Sequence, residues 1–393
     1  MTEPETAGQL APEVGHWLEQ RQGTLHITTS TTAPDGRTLD WVPIESQASG
    51  HIATPPPAVP PHVPADPARP TRAAQFATSQ PGPAAHVPVL RPDLTRVRNL
   101  ADLSRAQAKR GGLLFSTRQG ITHPPGPIPR GYFHATSSMD DLAVYGTEAW
   151  LNVWDPKIDL PSSPGEDHSI SQLWLLNDDS RRQSAEAGLT VDRGINGNVA
   201  NHLFTYFTTN GYQDDGDNIG GYNRSHKGWV QYHPLIYPGI ALKGASTQAG
   251  SPQLEVGLKY QLWQGNWWLG VSSDESKPWT WIGYYPGSLY GGGLATMARW
   301  VGWGGEVYSA LGNPCATKDQ MGSGRHAAKG WTHACYQRLI RYQTDAHAAL
   351  ADFAGTSEMD APAGCASNPY TISSFMHSGS AWGSYQYFGG PAA

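Results

Sequence analysis

Hydrophobic and polar positions alternate with a period of two along much of this chain. Leu254, Val256, Leu258, Tyr260 and Leu262 interleave with Glu255, Gly257, Lys259 and Gln261, the pattern of a strand with one face toward a core. Gln264-Gly265-Asn266 then turns the chain into Trp267-Trp268-Leu269-Gly270-Val271, a hairpin partner. Short strands of the same kind are expected over 150–154, 172–176, 202–208, 229–232, 281–285 and 306–310. Many short strands with regular turn signals predict an all-β fold, an antiparallel sandwich or barrel. Near the C-terminus, Tyr336, Leu339 and Ile340 fit a helix, while Tyr336, Arg338, Ile340 and Tyr342 fit a strand.

The N-terminal part is patterned differently. Val14, Trp17 and Leu18 fall at helical spacing after Pro12, and two strands, 25–29 and 39–44, flank the turn Pro34-Asp35-Gly36. A helix plus a hairpin is too small for a stable core and must dock on something. The stretch 51–94 holds twelve prolines and reads as an extended linker. It runs into a basic segment where Asn99 caps a short helix and Lys109-Arg110-Gly111-Gly112 is a site for nicking. The expected division is a small unit over 1–50, a linker over 51–111 and a β domain over 112–393.

Composition narrows the functional classes. Among 393 residues only 15% are charged, the net charge is -6 and the pI is about 6.2, which argues against a nucleic-acid partner. No apolar run reaches the ~18 residues of a membrane span. The opening Met1-Thr2-Glu3-Pro4-Glu5-Thr6 lacks the basic and apolar regions of a secretory signal. Cys315, Cys335 and Cys365 permit one internal disulfide or three inert thiols. Nucleophile-elbow, zinc-protease, P-loop and dinucleotide motifs are missing, so no cofactor is expected. Asp214, Asp215 and Asp217 lack the closing glutamate of a calcium loop and read as a solvated turn, so no metal is expected either.

With so few charges, the acids that interrupt strands are informative. Glu186, in Ala185-Glu186-Ala187-Gly188, and Glu306, in Gly304-Gly305-Glu306-Val307, each sit in a Trp-, Tyr- and Gly-rich β pattern. Carboxylates are seldom buried without partners, so such a pair suits a site that uses them as acid and base. Two other classes share these features. A glycoside hydrolase also uses two carboxylates, and the aromatic stretch 263–303 could be the sugar platform of a carbohydrate-binding module. Trp267 and Trp281 are expected in the core, and Trp268, on the opposite face of its strand, in a cleft wall.

Short motifs in a fixed order support the hydrolytic reading. Gly146-Thr147-Glu148-Ala149-Trp150-Leu151-Asn152-Val153-Trp154-Asp155-Pro156, Ser171-Gln172-Leu173-Trp174-Leu175, Glu186-Ala187-Gly188 and Leu203-Phe204-Thr205-Tyr206-Phe207 come first. Asn210-Gly211-Tyr212, Gly265-Asn266-Trp267-Trp268-Leu269, Ile282-Gly283-Tyr284-Tyr285-Pro286 and Gly304-Gly305-Glu306-Val307 follow. Met321-Gly322-Ser323-Gly324 and Tyr387-Phe388-Gly389-Gly390-Pro391 close the series. Together they resemble the neprosin domain, and Pro34-Asp35-Gly36 with 39–44 is similar to that family's activation peptide.

The resemblance implies a two-sheet β-sandwich glutamic peptidase with an N-terminal pro-segment, secreted and cutting peptides next to proline in acid. It maps the catalytic pair onto Glu186 and Glu306. Substrate contacts are then expected from Gln172, Trp174, Tyr206, Trp268 and Tyr285, with the chain's own pro-segment as an intramolecular inhibitor. Two departures stand out: the family's paired cysteines after Asn-Gly-Tyr are missing, and Leu189 replaces the usual aromatic after Glu-Ala-Gly.

Overall fold

The computed structural model describes residues 12–48, 51–92, 131–158, 167–177, 183–209, 220–274, 276–362, 364–379 and 381–391. The segment around Asn99, the Lys109-Arg110 pair, Tyr212 and the acidic cluster of Asp214, Asp215 and Asp217 lie outside the described residues. The N-terminal part opens with helix α1 (Pro12–Gln22) and holds strands β1 (Thr29–Thr32), β2 (Thr38–Pro43), β3 (Thr71–Ala73), β4 (Gln75–Phe76) and β5 (His86–Leu90). Then come β6 (Tyr132–Met139), β7 (Gly146–Asn152), β8 (His168–Asn177), β9 (Gln183–Asp192), β10 (His202–Thr208) and β11 (Gly220–Tyr222). They are followed by β12 (Val230–Gln231), β13 (Leu242–Lys243), β14 (Gln253–Trp263), β15 (Asn266–Ser272), β16 (Thr280–Pro286) and β17 (Trp300–Tyr308). The last are β18 (Cys335–Gln343), β19 (Ala351–Asp352), β20 (Thr356–Asp360), β21 (Thr371–Phe375) and β22 (Tyr385–Gly389).

Two large sheets form the sandwich. The smaller runs β11-β10-β9-β8-β17-β6-β20. The larger runs β12-β16-β15-β14-β7-β18-β22-β21, with β19 beside β18 and β3 beside β14. The alternation read from sequence sets their inner faces: Leu173, Leu175, Ala185, Ala187 and Trp303 of one meet Val256, Leu258, Trp267 and Leu269 of the other in one core. Gln264 and Gly265 both take positive φ, 48° and 74°, which closes the β14–β15 hairpin tightly. The ambiguous segment after Tyr336 is a strand, with an irregularity between Arg338 and Arg341 where it pairs with β7. Cys315 and Cys365 are joined as a disulfide, and Cys335 is a buried thiol.

The N-terminal part is built into this sandwich. Ala33, Leu39, Ala74 and Phe76 belong to the main core, and β3 pairs in parallel with β14 through Thr71, Arg72 and Ala73. Gln47 and Gln231 exchange reciprocal bonds: the Gln47 amide donates to the Gln231 carbonyl at 2.8 Å, and Gln231 N donates back at 3.0 Å. The proline-rich stretch lies along the outer face of the larger sheet. Ile52 and Ala53 pack on Trp268, Trp279, Trp281 and Tyr284, and Arg69 sits 4.2 Å over the Trp382 ring. An extended proline-rich backbone keeps its carbonyls free for donors, and Trp279 N and the Arg341 guanidinium each bond one, at Val59 and His62 (both 3.1 Å).

The turn after Pro34 carries a titratable anchor between this part and the sandwich. Arg37 bonds Asp35, Asn196 Oδ1 (3.2 Å) and the Gly239 carbonyl, and Asp35 Oδ2 lies 3.6 Å from His202 Nε2. Burial alone would raise the Asp35 pKa, but His202 and Arg37 outweigh it and hold the carboxyl well below its usual range. Burial, aided by Arg37, lowers the His202 pKa against the pull of Asp35. Both signs agree. A depressed Asp stabilises docking above its ordinary 3.8 and loses that contribution in acid, and a depressed His is protonated first in the undocked state, below 6.5.

Cutting the chain at Lys109-Arg110 should therefore leave the N-terminal fragment bound at pH 7, held by strand pairing, core residues and the aromatic shelf. Size exclusion followed by denaturing electrophoresis should find both fragments in one peak, with release growing as pH falls below about 6. Two separate peaks at pH 7 would contradict this packing.

Candidate active site

In an antiparallel sheet, residues on neighbouring strands that sit directly opposite share a face. Glu186 on β9 lies opposite Trp174 on β8 and Tyr206 on β10, and Tyr206 lies opposite Tyr222 on β11. Gln172 lies opposite Gly188 and Gly304, and Glu306 lies opposite Ile170 and His134. Because Ala185, Ala187, Leu173 and Trp303 fill the core, these even-numbered positions occupy the other face of the seven-stranded sheet. Glu186, Gln172, Trp174, Tyr206 and Glu306 are thus brought onto one surface.

The two glutamates are not direct neighbours there. Ile170, opposite Glu306, pairs with Thr190, four residues along β9 from Glu186. On a flat sheet that is about 13 Å along the strand and about 10 Å across two strand spacings. Gln172 occupies the midpoint of that diagonal. Its two flanking positions are glycines, and a Cβ at Gly188 would run into Ser171 O and Gln172, one at Gly304 into Ala135 O. The glycines let β8 pack closely on Gly188 and β6 on Gly304. Two expected contacts lie elsewhere. Trp268 is on the outer face of the larger sheet beneath Ile52 and Ala53, and Tyr285 is buried between the sheets. The period-two reading set Trp268 correctly apart from Trp267, but that face belongs to the other sheet and is covered.

Glu306 is fully buried, and its two oxygens are claimed separately. His134 Nε2 is 3.2 Å from Oε2 and His168 Nε2 is 3.1 Å from Oε1, with the Gln172 amide 3.5 Å from Oε2. Behind His168, Asp192 Oδ2 stands 3.6 Å from Nδ1, while its Oδ1 caps a helical turn by accepting from Ile195 N at 3.0 Å. Burial pushes Asp192 up to about 6, against the opposing pull of His168 and of the backbone amides of Ile195 and Gly194. Tyr222 is also buried, its Oη without a hydrogen-bond partner, and burial together with the Glu306 and Asp192 charges keeps its phenol protonated. Glu186 is fully buried as well.

His134, His168, Asp192 and Tyr222 were not singled out by sequence. They come from four separate strands, and only the register gathers them. The other buried strand glutamates differ in partners. Arg338 grips Glu255 with two nitrogens, joined by the Tyr336 hydroxyl at 2.9 Å. Glu148 pairs with Lys259 at 3.3 Å and Arg341 at 3.1 Å. Such guanidinium and ammonium partners supply fixed positive charge opposite a buried carboxylate. Glu306 instead faces titratable imidazoles, an arrangement suited to moving protons.

An antiparallel two-sheet sandwich with a buried glutamate-imidazole face is the class this structure defines. The Neprosin family model matches residues 165–391, more than half of the chain, and the chain belongs to that family. Among solved structures it is similar to a Scytalido-glutamic peptidase bound to a peptide-based transition-state analog, at 8% identity, TM-score 0.34, covering 67% of this chain and 98% of that one. A second Scytalido-glutamic peptidase structure, with a transition-state analog inhibitor, gives 7% identity, TM-score 0.35 and coverage of 66% and 98%. No helix among the described residues is long and apolar enough to cross a membrane.

A methyl group at position 188 should displace Gln172. Gly188→Ala is expected to lower stability by about 1–3 kcal/mol in thermal or denaturant unfolding, the usual cost of overpacking. A variant as stable as the parent would show that the packing of β8 on Gly188 is not tight.

Proposed function

We propose that this chain is a glutamic endopeptidase that hydrolyses peptide bonds next to proline in acid, with Glu186 and Glu306 as its acid-base pair. The observation that supports it best is the shared face on which these two buried glutamates bracket Gln172. In the reaction, one glutamate as carboxylate takes a proton from water while the water oxygen attacks the scissile carbonyl carbon. The other, protonated, gives its proton to the amide nitrogen as the C–N bond breaks, leaving a carboxylic acid and an amine. The spacing of the pair suits a peptide bond and a water lying between them rather than a directly shared proton. The Gln172 amide and the protonated Tyr222 phenol are the donors we assign to the developing oxyanion, a role worth about 3 kcal/mol per donor elsewhere. Trp174 and Tyr206, opposite Glu186, supply the aromatic surface for a proline ring.

We further propose that the chain is made as a zymogen whose N-terminal part is loosened by acid at the contact of Asp35 with His202. The Cys315–Cys365 disulfide suits an oxidising compartment, in keeping with a secreted enzyme.

The test is a digest of a proline-containing peptide by the full-length protein, assayed from pH 2 to 8 after acid treatment. Activity should peak well below pH 6 and fall as the pair loses the one proton it must hold. A rate that is flat or rising through pH 8, or no cleavage at any pH, would overturn the proposal.

A further inference from the structure

The two imidazoles on Glu306 have a consequence for the division of labour in the pair. A carboxyl group carries at most one proton, so its two oxygens cannot both donate, and at least one of His134 and His168 must donate to Glu306. His134 settles its own tautomer. Its Nδ1 is buried with no hydrogen-bond partner, so a proton there would be an unsatisfied buried donor, whereas a proton on Nε2 meets Glu306 Oε2 at 3.2 Å. His168 lies between two carboxyl groups: Nε2 meets Glu306 Oε1 at 3.1 Å, and Nδ1 faces Asp192 at 3.6 Å. Ring packing holds both imidazoles in place. Tyr132 lies 6.4 Å from His134 and 5.9 Å from His168, and Tyr308 lies 5.7 Å from His168. A carboxylate that accepts on both oxygens is favoured in its charged form.

We propose that His134 and His168 are positioning residues that hold Glu306 as the carboxylate, making Glu306 the base and Glu186 the acid of the pair. This rests on the peptidase reading above. The titratable groups facing this centre are His134 from β6, His168 from β8, Asp192 from β9 and Tyr222 from β11, with Asp360 of β20 beside His134. With a donor on each oxygen, Glu306 stays ionised at a lower pH than a glutamate without these neighbours, and the acid limb of activity reaches lower.

The experiment compares full-length, acid-treated H134F, H168F, H134Q and H168Q with the parent on a proline-containing peptide. The Phe variants keep a ring of similar size without a donor, and the Gln variants keep a donor that does not titrate. We expect kcat to fall by about 10²-fold in the Phe variants with KM little changed, as for a misplaced catalytic group. Their acid limb should move up by about one pH unit. The Gln variants should recover much of kcat and bring the limb back toward that of the parent. Phe variants with parental kcat and an unmoved acid limb would overturn the proposal while leaving the peptidase reading intact. A parent without peptidase activity would sink the peptidase reading instead. The hold on Glu306 is then decided by ¹⁵N NMR of histidine-labelled protein, which also serves if a Phe variant fails to fold. The proposal expects His134 with its proton on Nε2 and both imidazole signals shifted in Glu306→Gln. A proton on Nδ1 of His134, or no shift, contradicts it.

Discussion

The alternation of side chains across three neighbouring strands, β9, β8 and β17, is the constraint on which this molecule depends. Each strand buries its odd-numbered residues between the sheets and turns its even-numbered ones to the opposite face. A slip of one residue in any pairing would exchange the two sets. It would send Glu186, Gln172 or Glu306 into an apolar core and bring Ala187, Leu173 or Trp303 out of it. Burial of large side chains such as Trp303 and Leu173, worth about 1.5–3 kcal/mol each, therefore fixes the register that assembles the site. The stability of the sandwich and the geometry of its polar face have one origin.

Charge then separates structural from chemical acids. Glu148 and Glu255 are as deeply placed as Glu186 and Glu306, yet they are matched to lysine and arginine side chains of the same, larger sheet. Removing one member of such a buried pair leaves an uncompensated charge, a loss of about 3–5 kcal/mol. The Glu306 neighbourhood is built from imidazoles instead. Behind His168, burial lifts Asp192 to about 6, which ties the state of this face to pH. The same sensitivity recurs at Asp35 and His202, where the N-terminal part meets the sandwich. Acid acts there in one direction: it weakens the contact that docks the turn.

Much of this was legible in the chain. Alternation from Leu254 to Leu262 and the Gln264-Gly265 turn specified the β14–β15 hairpin, and the rarity of acids in strands drew attention to Glu186 and Glu306. The limits have physical causes. Glu148 and Glu255 look the same in sequence as the other two, because what distinguishes them is an arginine 83 residues away or more on another strand. His134 and Glu306 are separated by 172 positions and meet only through pairing of β6 with β17. The face of Trp268 was read correctly, but its sheet could not be. The proline-rich stretch has too few apolar residues to announce a packed segment, since the apolar shelf comes from Trp268, Trp279 and Tyr284.

The central claim is that Glu186 and Glu306 act as one unit on a single peptide bond. It is tested most directly by kcat/KM for Glu186→Gln, Glu306→Gln and the double variant, each with its melting temperature. If the pair works as a unit, either single change abolishes hydrolysis, the double variant is no worse than the singles, and the fold survives. Single variants that each retain substantial activity, with losses that add in the double variant, would contradict it.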